Sequence, residues 1–488
     1  MSLIPAIITP FAPQNPQITE GQIQSSFTLN NILRNFCIIA ALVFVNRIGL
    51  VGNIFFFAVC SVLALRSSEG ALKALSVVML ALITNLYFVE KSGMIWALGR
   101  FGILFLCAGR FFYDLSRSRH SLLSRYYFRF FLAFLVVCFF LSLFNNYFLP
   151  VSLLKLLAFG VGASAIFAGT EVSRRRNSEI TAWFYGMILF VVLLGIVALL
   201  IGQGYNAKII PGVYDPSDFY FNGPFYHSNT LGPIAAMMVV YLAAIFLFSP
   251  YRHRWLTVFM ALVLAYFIYL TKSRTALGAL AIGGFSMLAL AIFAGGRRGA
   301  FVRFNLPKAQ ILLLSMAAVL ALFLVNFFTS GALGTKVTNI VNKGDAGLGQ
   351  SGIDINQVLA SRILLYENAM KNFSARPLTG ISFGTATDPF FIANATWYTA
   401  PTEKGNLFFG MLEEVGLIGS AFFWAFILSF LYYLIKDLNI SGFGLFATFL
   451  MVNMGEMMFF SFGAHGALGW VMVGAGLALG DRCLTRQS

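Results

Sequence analysis

Apolar runs about as long as a bilayer is thick recur along the whole of this 488-residue chain, and they constrain its fold more than any other feature. They fall near 30–46, 50–65, 71–89, 94–113, 128–148, 151–170, 180–202, 229–249, 255–270, 275–294, 309–328, 406–435, 441–461 and 466–480. Each approaches the roughly 20 residues that a helix needs to cross the hydrocarbon core. That gives fourteen candidate spans, or thirteen if the first two, separated only by the stretch from Arg47 to Asn53, are one. Lipid offers backbone N–H and C=O groups no partner, so the pattern predicts an all-α polytopic membrane protein. Asp, Glu, Lys and Arg make up only 10% of the chain, against roughly a quarter in soluble proteins, too few to coat several water-facing domains. The 54 Phe, 18 Tyr and 6 Trp supply lipid-facing bulk and interfacial belts.

The charges predict an orientation. Loops 114–129, 173–177, 250–254 and 295–308 carry Arg117, Arg119, Arg125, Arg129, Arg174 to Arg176, Arg252, Arg254, Arg297, Arg298, Arg303 and Lys308, thirteen cations against Asp114 alone. The alternate loops are balanced: 203–227 sets Lys208 against Asp215 and Asp218, and 329–405 has six cations and five acids. By the positive-inside rule the basic loops are cytoplasmic, both termini are inside, and loops 203–228 and 329–405 face outward. The expected organisation is a cytosolic tail over 1–29, a bundle of about eleven helices over 30–328, a large external loop over 329–405, C-terminal spans over 406–481 and a cytosolic tail over 482–488.

The net charge of +15 is then absorbed by cytoplasmic loops, so nucleic acid is not an expected partner. The first 27 residues hold Pro5, Pro10, Pro13 and Pro16 but neither the basic start nor the short apolar core of a cleaved signal peptide. Cys37, Cys60, Cys107, Cys138 and Cys483 form no C-x-x-C pair, which argues against a disulfide framework or a zinc knuckle. No P-loop, G-x-G-x-x-G, H-E-x-x-H or external Asp-x-Asp pair is present, which disfavours ATP-driven and nucleotide-sugar-dependent chemistry. Neither a cofactor nor a metal is expected.

A watery insertion of nearly eighty residues is more than a pore or carrier needs, and loops of such length are usually functional or disordered. Within 329–405, Ile363, Tyr366, Met370 and Phe373 recur at helical spacing until Pro377 stops the pattern. The spacing predicts an amphipathic helix over 359–375, either lying on the membrane surface or capping the bundle.

Four local patterns lie around and within this loop. Gly223-Pro-Phe-Tyr-His-Ser-Asn229-Thr-Leu-Gly232 enters one span and Leu270-Thr-Lys-Ser-Arg274 another. Arg362 precedes Arg376-Pro-Leu-Thr-Gly380-Ile-Ser-Phe-Gly384, and Asn406 precedes Leu412-Glu-Glu414-Val-Gly416-Leu-Ile-Gly419. In order and spacing they resemble the O-antigen ligase and Wzy-type polysaccharide polymerase superfamily. The resemblance implies a GT-C-like membrane glycosyltransferase of about fourteen transmembrane helices in the bacterial cytoplasmic (inner) membrane, active at its periplasmic face. It also implies transfer of a glycan from an undecaprenyl-pyrophosphate carrier to a hydroxyl of a glycan or lipid acceptor. Chain-length regulator and flippase proteins are the partners such a protein would have, beside the bilayer itself. One position departs from the family: its ligases place a His directly before the Asn that ends the loop, and here that residue is Gly405.

Departing pyrophosphate needs cations more than a protonating acid or a metal. The family positions and the rarity of intramembrane Arg point to Arg274, Arg376, Arg362, Lys404, Arg100 and Lys155 as pyrophosphate and glycan contacts, with Asn406 beside them. The acceptor hydroxyl benefits from a base. Glu403, nearest the missing His, and His227 are the candidates, although His227 equally suits a helix-start role with Asn229 as cap. Glu456 reads as a partner for an Arg across helices, and Glu414 as a residue that orients a loop or helix end. The absent His favours a polymerase over a ligase that transfers glycan to lipid A-core. A lipid-linked oligosaccharide flippase is the third reading, disfavoured because no similarity between halves is visible and the cations gather at one face.

Overall fold

The structure, a computed structural model, describes residues 28–84, 93–117, 122–145, 149–173, 177–207, 219–248, 254–297, 355–385, 405–462 and 465–480. Among these residues the chain forms fourteen α-helices, which we number in order. They are α1 (Leu29–Val45), α2 (Gly49–Arg66), α3 (Ser68–Ile83), α4 (Gly93–Arg117), α5 (Tyr126–Asn145), α6 (Leu149–Ser173) and α7 (Asn177–Leu200). After them come α8 (Ser228–Phe248), α9 (Arg254–Leu270), α10 (Arg274–Arg297), α11 (Ile355–Ala375), α12 (Leu407–Lys436), α13 (Ile440–Asn453) and α14 (His465–Gly480). Thirteen of them coincide with thirteen of the apolar runs; the run 309–328 and most of the 329–405 loop lie outside the described residues. Seven helices are long and apolar enough to cross a membrane, and α1, α9, α13 and α14 are apolar but shorter.

Contacts between helix ends sort these ends into two sets. At one end, which we call the basic end, Arg110 pairs with Asp114 at 3.0 Å, and the Ser68 N–H and hydroxyl donate to the same carboxylate. Arg125 lies 3.7 Å from Glu171, which also accepts from the Tyr433 hydroxyl, and Lys73 sits between Glu69 and Glu179. The opposite end is the loop end. Connections between α7 and α8, between α9 and α10, and from α13 onward meet there, and the alternation of the apolar runs is thereby kept.

Helix α3 stands at the centre. Nearly all of its residues are buried, and its Ser, Gly and Ala positions let neighbours approach closely. Helices α10 and α13 cross at similar closeness: a Cβ on Gly444 would lie 2.7 Å from the Met287 Cβ, and one on Gly283 would overlap Thr448. In lipid, where apolar burial gives helices little reason to associate, such small-residue crossings and dispersion contacts hold them. A second packing centre is aromatic. Trp470, fully buried, contacts the rings of Phe159, Phe167, Phe446, Phe449, Phe459 and Phe462.

Three expectations need correction. The run 441–461 is not one span: α13 ends at Asn453, about 21 Å after it starts at 1.5 Å per residue, short of a roughly 30 Å core. Irregular backbone follows, and it is buried, with Met457, Met458, Phe459 and Phe462 inside. Its polar groups are satisfied within the protein, because the Asn453 side chain accepts from the Met458 N–H and the Trp470 indole donates to the Phe459 carbonyl. Glu456 therefore sits in a turn rather than in a helix. The amphipathic helix begins at Ile355 rather than 359, and Tyr366, Ala369 and Asn372 rather than Met370 make its contacts: Tyr366 stacks on Phe409 at 4.6 Å, and Asn372 reaches Glu413. The all-α expectation yields at the connection after α7, where Tyr205–Ala207 pairs antiparallel with Phe219–Phe221.

The two ends predict a labelling pattern. In a cysteine-free background, Leu378→Cys at the loop end and Leu123→Cys at the basic end are both exposed positions. An impermeant maleimide applied to spheroplasts should label the first and not the second; labelling of both from outside would refute the two-ended bundle.

Candidate functional site

Helix α12 breaks in its third turn. Gly416 has φ +61° and ψ −163°, which frees the Glu413 and Glu414 carbonyls and the Leu417 and Ile418 N–H groups from their helical partners. The segment after α11 takes up all four. Ile381 N–H donates to the Glu413 carbonyl at 2.9 Å and Ser382 N–H to that of Glu414 at 3.0 Å. Leu417 N–H donates to the Pro377 carbonyl at 2.9 Å and Ile418 N–H to that of Leu378 at 3.2 Å. Glycine is required on both sides of this seam. A Cβ on Gly380 (φ +66°) would lie 2.4 Å from the Glu414 carbonyl carbon, and one on Gly416 would lie 2.5 Å from that of Leu378. The fully buried Glu414 carboxylate accepts the Gly384 N–H at 2.6 Å, so it orients a loop, as its Glu-x-Gly setting suggests.

The docked segment gathers side chains from α5 and α6. Asn145 donates to the Thr379 carbonyl at 3.1 Å and accepts from Arg376 at 3.2 Å. Ser152 and Ser382 share a hydrogen bond of 2.8 Å, and the Lys155 ammonium donates to the Gly384 carbonyl at 2.9 Å. Lys155 and Arg376 thus meet at one loop. Arg376 is exposed, and apart from Asn145 its guanidinium has no protein acceptor among the described residues. Arg100 is on α4, which runs parallel to α6 with Phe111 against Gly169. Equal steps back along both helices put Arg100 level with Ala158, one turn deeper than Lys155.

A second group surrounds the first turn of α10. Thr271, Lys272 and Ser273 form the corner that makes Arg274 the first helical residue; Thr271 Oγ1 accepts from Ser273 N–H and Ser273 Oγ accepts from Ala276 N–H. Lys272 takes φ +50°, unusual for a non-glycine residue, with its ammonium 5.0 Å from the Tyr220 ring centre. Gly232 of α8 fits against this corner, since its Cβ would lie 2.9 Å from that of Ser273. His227 is exposed, and its Nδ1 accepts the Asn229 N–H at 3.1 Å, so the ring caps the start of α8 and Asn229 is the capped residue rather than the cap.

Two neighbouring residues join the groups. A Cβ on Gly455 would lie 2.0 Å from Thr275, next to Arg274, and the Met454 carbonyl accepts from the Asn406 amide at 2.9 Å. Asn406 is also the N-cap of α12, accepting from Phe408 and Phe409 N–H. The N-termini of α8, α10 and α12 therefore come together at the loop end. Their dipoles favour an anion, and Arg274 adds a full charge. Arg362 lies on α11, whereas Glu403 and Lys404 fall outside the described residues. Gly405, just before Asn406, has φ +66°, a left-handed backbone state that glycine adopts without strain.

No protein-family model matches the chain, and neither does any curated protein. The function is therefore argued from the arrangement itself.

Sequence reasoning missed Asn145 and Ser152, small polar residues with no motif, gave Ser382 no role within the Arg376–Gly384 pattern, and passed over Arg47 in the α1–α2 turn. Burial pulls the Arg47 guanidinium below its ordinary value, partly offset by the Tyr226 hydroxyl. The α12 seam is testable. Gly416→Ala should cost about 1–3 kcal/mol through its left-handed backbone and steric overlap, and Glu414→Ala about as much by orphaning the Gly384 N–H. Thermal unfolding in detergent reads both; unchanged midpoints would show that the seam does not hold the loop.

Proposed function

We propose that this protein is a membrane polysaccharide polymerase, joining glycan repeat units carried on undecaprenyl pyrophosphate at the outer face of the bacterial cytoplasmic membrane. One observation supports the reading above others. The four sequence patterns behind the family resemblance, spread over about two hundred residues, form one contiguous patch: 223–232 packs on 270–274, 376–384 docks on 412–419, and Met454–Gly455 links the pairs. On this reading the basic end is cytoplasmic, the chain crosses the bilayer about fourteen times with 309–328 as one span, and α11 with the rest of 329–405 covers the sugars.

In the reaction, an acceptor hydroxyl attacks the anomeric carbon of the lipid-linked glycan. The bond from that carbon to the pyrophosphate oxygen breaks, and the leaving group keeps the electron pair. Arg274, Arg376 and Lys155, with Arg362, Lys404 and Arg100, meet its growing charge, and the assembled helix N-termini add to their field. The hydroxyl proton passes to Glu403, or to Nδ1 of His227 once it releases the Asn229 N–H, because Nε2 carries the ring proton while that bond is made. Gly405 stands where the family's ligases carry a His, and the absence of that base favours the polymerase over the ligase.

Purified protein with fluorescent undecaprenyl-pyrophosphate oligosaccharide and no added metal tests the proposal. Wild type should give a ladder of lengthening products, and Arg274→Ala and Arg376→Ala should lose at least about a hundredfold in rate, near the cost of one oxyanion donor. Glu403→Gln should lose a similar factor as the base. A single addition to a separate acceptor would indicate a ligase. Carrier-dependent movement across liposomes without transfer would indicate a flippase.

A further inference from the structure

Among the described residues, Arg47 is a buried charge without a counter-charge. It follows Asn46, the C-cap of α1, and is 5% exposed; Asn46 is 2% exposed. The guanidinium Nη2 donates to the Ala81 carbonyl at 3.1 Å and to the Thr84 carbonyl, both at the C-terminal end of α3. Its Nε and Nη1 have no acceptor, and neither amide atom of Asn46 has a partner. No carboxylate among the described residues pairs with Arg47. The end of the α3 dipole and two carbonyls supply only part of a charge.

A buried lysine can shed its proton, but an arginine cannot do so in proteins. Burying an uncompensated ion costs several kcal/mol, so the arrangement is incomplete as protein alone and calls for an anion. Among the described residues, the titratable side chain beside the guanidinium is the Tyr226 hydroxyl, on a residue 45% exposed. Tyr226 follows Phe225, whose backbone bridges Thr84, so it stands between Arg47 and the outside. Turning Tyr226 outward would open the guanidinium to a ligand at the loop end, and the Asn46 amide, a donor and an acceptor together, suits a hydroxyl next to the anion. Around the turn the chain exposes Ile48, Leu50, Val51, Ile54 and Phe55, an apolar surface matched to acyl chains.

We infer that Asn46 and Arg47 form a binding site for a lipid-borne phosphate, with Tyr226 as its lid. Tyr226 belongs to the 223–232 pattern and so borders the proposed transfer site, but the inferred site uses neither Arg274, Lys155 nor Arg376, and it stands whether or not the protein transfers glycans. Two sources share the chemistry: a hydroxylated phospholipid headgroup of the bilayer, or the pyrophosphate of a polyprenyl carrier.

Native mass spectrometry of the full-length, delipidated protein in detergent decides, with phosphatidylglycerol and undecaprenyl pyrophosphate titrated separately. Wild type should bind at least one of them about tenfold more tightly than Arg47→Gln does, and Asn46→Ala should weaken phosphatidylglycerol several-fold if the headgroup is the ligand. Tyr226→Phe, which removes the competing hydroxyl, should tighten binding. Equal affinities in wild type and folded Arg47→Gln would overturn the inference and leave Arg47 as a cap of α3. Should Arg47→Gln not fold, Tyr226→Phe decides alone: tighter binding supports the site, and unchanged or weaker binding refutes it.

Discussion

A bilayer cannot hydrogen-bond to a peptide group, and the loop end depends on how this chain meets that constraint where its helices break. At Gly416 the break in α12 releases two carbonyls and two N–H groups, and the stretch from Pro377 to Ser382 binds all of them. At Asn453 the helix stops early, and Asn453 and Trp470 satisfy the buried backbone beyond it. The cost of an unpaired group is what locks these irregular segments in place. A helix running unbroken through 416 would have nothing to offer the loop, and Lys155 and Arg376 would have no common scaffold.

Packing converts these breaks into a site. Gly380 and Gly416 let two backbones approach each other, and Gly232 and Gly455 let a backbone approach the Ser273 and Thr275 side chains, where in each case a Cβ would overlap. The result is that the starts of α8, α10 and α12 converge, so that three positive dipole ends serve one place. Arg274 at the first position of α10 is unfavourable for the helix taken alone, because a cation faces the positive end of the dipole. That arrangement makes sense when an anion is to be held.

The ordinary pins lie at the basic end, where Arg110–Asp114, Arg125–Glu171 and Lys73 with Glu69 and Glu179 tie helix ends together. Charges there find carboxylates. At the loop end Lys155 and Arg47 donate to carbonyls and Arg376 to the Asn145 amide, and no carboxylate among the described residues pairs with Arg376 or Arg47.

The sequence by itself determined the helical class, the place of almost every helix and their alternation, because lipid forces each apolar run of sufficient length into the same structure. It also marked Arg274, Arg376 and Lys155 as unusual, since charge is scarce in such a chain. It misjudged the run 441–461, because hydropathy does not distinguish residues buried in protein from residues facing lipid, and Phe459 and Phe462 are apolar in either setting. Arg47 was legible only as a separator between two runs, Ser382 only as part of a pattern, and Asn145 and Ser152 carried no signal at all. Only the tertiary structure decided that Asn145 meets Arg376, that Lys155 meets Gly384 and that Gly232 meets the Arg274 corner, because those contacts depend on which helix faces which, and apolar periodicity leaves that choice open.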